Sequence, residues 1–166
     1  YPNMLQSFGL LRANLLKQVV YKRPSYHAMQ HLVNLLHDGV QASGRPAFRA
    51  NTAREIELVS VADSAGTTIG VMFWYGDRIP SDDLTWDRVE LRVDGLSLQD
   101  PVLVEPVTGR IFELPQPHGN RDGGGMKFTG CPVWDSPMLL MERDAVPFRN
   151  KGTERQAAGT SDDMLY

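Results

Sequence analysis

Residues 87–94 read Asp87-Arg88-Val89-Glu90-Leu91-Arg92-Val93-Asp94. Val89, Leu91 and Val93 fall on one side of an extended chain and Arg88, Glu90 and Arg92 on the other. A period of two is that of a half-buried strand. One dry and one wet face predict an outer strand of an antiparallel sheet. Upstream, Glu55 to Val61 is rich in β-branched and aliphatic residues, and Asp63-Ser64-Ala65-Gly66 reads as a turn. Thr67 to Tyr75 (TTIGVMFWY) is apolar on both faces, as a central strand is, and Arg78 to Asp83 breaks it. Downstream, the two apolar runs of PVLVEPVTGRIFELP (101–115) flank Val107-Thr108-Gly109, a hairpin signal in which Gly109 supplies a positive φ. Residues 115–125 (PQPHGNRDGGG) are too rich in Pro and Gly for regular structure. Met126 to Thr129 and Pro137 to Glu142 are two further strands, with Cys131-Pro132-Val133-Trp134 between them. Short strands separated by turns predict a β-sandwich over residues 54–148.

The segment before the sandwich has another character. Tyr21 to Gly39 (YKRPSYHAMQHLVNLLHDG) reads as an amphipathic helix with Pro24 in its first turn and Gly39 as its C′ residue. Met29, Leu32, Val33 and Leu36 recur at helical spacing, widened by Ala28 and Leu35. His27, Gln30, His31, Asn34 and His37 are expected largely opposite. Phe8 to Leu11 reads as a buried strand, with Arg12, Ala13 and Asn14 as its polar exit. Residues 1–39 are thus one strand-loop-helix unit, and a parallel strand needs neighbours. Residues 40–53 carry Gly44 and Pro46 without a period and are expected to be a connector; residues 149–166 are expected to be a polar tail.

Composition bounds the function. With 42% hydrophobic and 22% charged residues the 166-residue chain is ordinary for a soluble domain, and its formal charge of -3 argues against a nucleic-acid partner. No apolar run approaches the roughly 20 residues of a membrane helix. The opening YPNMLQSF has neither the basic-then-apolar pattern of a signal peptide nor an initiator Met, which suggests a processed or fragmentary chain. Cys131 is the single cysteine, excluding an internal disulfide and any thiolate metal cluster.

Candidate chemistry is sparse. His27 and His31 are four apart on a helix, the spacing of a two-His metal pair, but Ala28 stands where an HExxH motif has Glu. With His37 and His118 they are better read as solvated polar positions, and no metal or cofactor is expected. Asp82-Asp83 and Asp122 beside Gly123-Gly124-Gly125 fit turn chemistry better than a Ca²⁺ loop, and the triple Gly lacks the Gly-Lys-Ser/Thr of a phosphate loop. Cys131 is expected to be a buried small hydrophobe. Trp74, Tyr75, Trp86 and Trp134 are candidates for stacking on sugar rings, with core packing the plainer role for at least one of them.

Two motifs carry a resemblance. SFGLLR followed by VVYKRPSYHAMQHLVNLL resembles the last strand and last helix of a (β/α)8-barrel glycoside hydrolase of the large retaining clan, where a Lys/Arg-Pro-Ser/Ala-Tyr-x-Ala stretch opens that helix; Arg23-Pro24-Ser25-Tyr26-His27-Ala28 matches it. PVLVEPVTGRIFELP and CPVWDSPMLLMERD are similar to strands of the small β-sandwich that often follows such barrels. The resemblance spans residues 1–144. It places Arg12 and Asn14 where a sugar site has its edge at the end of the last barrel strand, an ordinary solvated loop being the plainer reading; Trp74 and Trp134 are the aromatic candidates for substrate binding. The clan's two catalytic carboxylates, held about 5–5.5 Å apart in a retaining site, belong upstream and have no counterpart here. The fold expected is therefore mainly β, an antiparallel β-sandwich preceded by one unit resembling the end of a (β/α)8 barrel. The function expected is a non-catalytic C-terminal portion of a glycoside hydrolase, inactive alone, whose partner is the remainder of the barrel. A stand-alone carbohydrate-binding module and a protein-interaction sandwich are the alternatives.

Overall fold

A computed structural model describes residues 11–13, 18–22, 24–36, 39–77, 86–114, 120–122 and 124–147. They form a mainly β fold of two large antiparallel sheets, a separate two-stranded pair and one α-helix. The four-stranded sheet runs in the order β10 (Asn120–Asp122), β11 (Gly125–Val133), β7 (Asp87–Asp94), β4 (Phe48–Ala50). The six-stranded sheet runs β3 (Gln41–Gly44), β5 (Ile56–Ala62), β6 (Thr68–Tyr75), β12 (Met138–Glu142), β8 (Pro101–Glu105), β9 (Arg110–Glu113).

Alternation along each strand builds the core between the sheets. Val89, Leu91 and Val93 of β7 meet Phe73 and Tyr75 of β6, Leu140 of β12 and Phe128 of β11 in one buried cluster. Each such side chain contributes roughly 1.5–3 kcal/mol by leaving water. The six-stranded sheet is apolar on its other face as well, where Val102, Val104, Leu139 and Met141 form a second cluster. This is the two-sided burial expected of the TTIGVMFWY strand, and β6 is central, between β5 and β12. The alternation expected of 87–94 holds too, but β7 is an interior strand, and its wet side is a sheet face.

Several local expectations are corrected. The stretch 40–53 carries β3 in one sheet and β4 in the other, so it turns the corner of the sandwich. Within 115–125, β10 pairs with the start of β11, Asn120 opposite Lys127. β11 runs on through Cys131-Pro132-Val133, with its register shifted between Phe128 and Cys131 and Gly130 at φ 72°. Such a bulge accommodates the extra residue through a positive-φ glycine. Among the described residues β10 pairs only with Gly125 to Lys127, and Pro132 stands opposite Arg88 of β7.

The unit before the sandwich also differs. β1 (Leu11–Ala13) pairs antiparallel with β2 (Val19–Lys22), Arg12 opposite Tyr21. Arg12 and Ala13 are therefore in a strand rather than a polar exit, and the strand's partner is local and antiparallel. The helix α1 spans Pro24–Leu35, with Pro24 at its first position as expected. Gly39 has φ 84° but lies beyond the end of α1 and packs against Ser64, so it is not the C′ residue. Phe8, Leu10, Asn14, His37, Asp82, Asp83, His118 and the 149–166 tail lie outside the described residues.

Candidate functional site

Successive residues of a helix are turned by about 100°, so Ala28, His31, Leu32 and Leu35 share one face of α1. That face lies on the outer side of the six-stranded sheet. Leu35 is 0% exposed and joins Val102, Val104, Leu139 and Met141, with Ile69, Met72, Ile111, Ala145 and Val146 packed around them. One turn earlier, the His31 Nδ1–H donates to the Pro106 carbonyl at 2.9 Å. The ring lies directly over the β8–β9 turn, where a Cβ on Gly109 would be 2.8 Å from His31 Cε1 and Nε2. Glu105, buried beneath, accepts hydrogen bonds from Val107 N at 2.7 Å, Thr108 N at 2.9 Å and the Thr108 hydroxyl. The turn is thus a preformed seat for the helix.

A second apolar stripe lies about a third of a turn round the helix. Met29 is 49% exposed, Val33 59% and Leu36 37%. His27 and Gln30 are exposed with Asn34 on the third side. The apolar arc of α1 is therefore wider than the sandwich covers. His31, expected on the polar side, belongs to the docked one, and the expected apolar set Met29, Leu32, Val33, Leu36 is split between covered and open faces.

Three of the four residues singled out for sugar binding are described, Arg12 in β1, Trp74 in β6 and Trp134 just after β11. Arg12 belongs to the β1–β2 pair, and Asn14 lies outside the described residues. Trp74 alternates with the core residues Phe73 and Tyr75, which puts it on the opposite face of β6, where it is half-buried opposite Glu57. Trp134 packs against the inter-sheet core. Trp134 thus lies with the inter-sheet core and Trp74 on the other face of β6.

At one end of the sandwich lies a polar cluster that sequence patterning did not reveal. The Tyr75 hydroxyl donates to Asp87 Oδ2 at 2.9 Å, and the Arg54 guanidinium stacks 4.3 Å from the Tyr75 ring centroid. Arg54 also stands 3.7 Å from both Asp77 and Asp87. Burial, then the Asp87 contact, raises the Tyr75 pKa above its usual 10.0. One guanidinium lies between the two carboxylates, so the cluster ties this end of the sandwich together.

Elsewhere the chemistry is structural. Arg143 joins Asp100 (2.5 Å) to Glu113 (2.6 Å). Burial pushes the Cys131 thiol up to about 12, and it behaves as the small hydrophobe expected. No cluster of three or more His, Cys, Asp or Glu gathers among the described residues, and no helix there is long and apolar enough to cross a membrane. A cleft of about 90 Å³ between Pro46, Ser60, Thr68 and Asp94 is far below the roughly 300 Å³ of the smallest ordinary ligand sites.

No protein-family model, curated protein or solved structure matches the chain. The candidate functional feature is accordingly the open stripe Met29-Val33-Leu36, carried on a helix whose other side is already anchored.

Proposed function

We propose that the chain is the non-catalytic C-terminal portion of a (β/α)8-barrel glycoside hydrolase, with α1 as the seam between the barrel and its sandwich. The observation that carries this reading is the division of α1 into two apolar faces. Leu35 is spent on the sandwich, whereas Met29, Val33 and Leu36 leave apolar area in water that a second body would remove. The Arg23-Pro24-Ser25-Tyr26-His27-Ala28 pattern at the start of the same helix gives that body its chemistry. The partner is the remainder of the barrel, in the same polypeptide or another chain, and it would bring the two carboxylates the mechanism requires.

The test is to add the reading frame upstream of Tyr1. A tract of repeating strand-helix units with two strand-end glutamates is expected. Fused to this chain it should hydrolyse aryl glycosides, while the chain alone is inert. Val33→Asp should impair the fused protein and leave the isolated chain's melting temperature unchanged. Robust hydrolysis by the isolated chain, or an upstream region without such units, overturns the proposal.

A further inference from the structure

The outer face of the four-stranded sheet carries a row of cations. Because Val89, Leu91 and Val93 fill the core, β7 turns Arg88, Glu90 and Arg92 outward. By the same alternation Arg49, between Phe48 and Ala50 of β4, and Lys127, between Met126 and Phe128 of β11, face outward too. The register sets Arg49 opposite Arg92 and Arg92 opposite Lys127. Three cations therefore stand abreast across three strands, at the strand spacing of about 4.8 Å.

Like charges placed directly opposite each other destabilise a sheet. Carboxylates on the same face offset the row: Lys127 Nζ is 2.9 Å from Glu90 Oε2, and Arg92 Nε is 3.6 Å from Asp94 Oδ1. Arg49 is exposed and has no carboxylate partner among the described residues. Arg88 continues the outward column, with its guanidinium 5.4 Å from the Trp86 ring centroid. An aromatic ring thus borders a basic face in a chain whose formal charge is -3.

We propose that this face binds an acidic glycan, a linear chain bearing carboxylates on successive sugar residues. A row of cations suits a repeating linear anion better than a single small one, because each charge is matched in turn. Trp86 offers a flat apolar surface to the C–H face of a sugar ring. Glu90 and Asp94 would accept hydrogen bonds from sugar hydroxyls, groups that the phosphodiester backbone of DNA lacks. The inference rests on the sheet face alone and is independent of the seam on α1.

Titration calorimetry of the full chain with oligogalacturonate tests it, with a neutral oligoglucan and single-stranded DNA as comparators. Saturable binding of oligogalacturonate that weakens with added salt is expected. Arg49→Gln and Lys127→Gln should each weaken it roughly fivefold, the factor of one cation near an anionic surface, without unfolding the chain at the temperature of the titration. Trp86→Ala should weaken binding and Trp86→Tyr should restore it. The inference is overturned if oligogalacturonate does not bind, if DNA binds as tightly, or if the two charge substitutions leave affinity unchanged.

Discussion

His31 on α1 and Pro106 in the β8–β9 turn, 75 residues apart in the chain, are joined by one hydrogen bond of 2.9 Å. The contact is also steric, because the imidazole fills the space a side chain at Gly109 would need. Gly109 has φ 74°, a conformation that strains any residue with a Cβ. Gly109→Ala is therefore expected to destabilise the chain by about 1–3 kcal/mol in urea unfolding. Hydrogen exchange should show α1 opening before the sheets. His31→Ala should cost about 1 kcal/mol through the lost hydrogen bond and leave the turn itself intact.

The two apolar sides of α1 should respond oppositely to substitution. Leu35→Ala removes a fully buried side chain and is expected to cost about 2–5 kcal/mol. Met29→Ser and Val33→Ser act at half-exposed positions and should stay within about 0.5 kcal/mol of the parent. Urea midpoints of the isolated chain check both. A large loss from Val33→Ser would mean that the stripe is already covered within this chain.

Tyr75 gives an alkaline signature. Its pKa is raised in the folded state by burial and by Asp87, so the unfolded chain loses that proton first. The stabilisation is complete below the unfolded value near 10 and is lost as pH rises through 10 toward the higher folded value. Replacing Tyr75 with Phe removes the titration. The stability difference between the parent and Tyr75→Phe should therefore be constant from pH 7 to 9 and shift against the parent above about 10. Urea unfolding across that range checks it, and a flat difference throughout would refute it.

How much of this was readable follows from which residues carry a period. Val89, Leu91 and Val93 alternate cleanly and mark out β7, though not its interior place in the sheet; the hairpin at Gly109 is equally plain. Gln41–Gly44 and Phe48–Ala50 are too short to carry a period. They are strands because β5 and β7 offer them unpaired edges, which is a tertiary cause. The strand expected at Met126–Thr129 stops short of the second half of β11, which continues past Gly130 through a bulge that a local period does not show. His31 shows the limit of polar-versus-apolar patterning, since an imidazole is buried in part once a carbonyl accepts its proton. The Arg54–Tyr75–Asp87 cluster joins two strands and the bend before β5, and no local spacing encodes it.

The placement of β12 has a consequence for how the chain is made. It is the last strand among the described residues, yet it lies between β6 and β8, bonded to Val71 and Phe73 on one side and to Val102 and Leu103 on the other. During synthesis, the β5–β6 and β8–β9 hairpins emerge first as two halves with no shared edge. Until residues 138–142 leave the ribosome, both halves present unpaired apolar edges, the kind that recruit other chains. Closure of the sheet is a late, non-local event, and such pairings are slow. Chains terminated before Pro137 should collect in inclusion bodies rather than as partly folded monomers, whereas chains ending after Ala145 escape that fate.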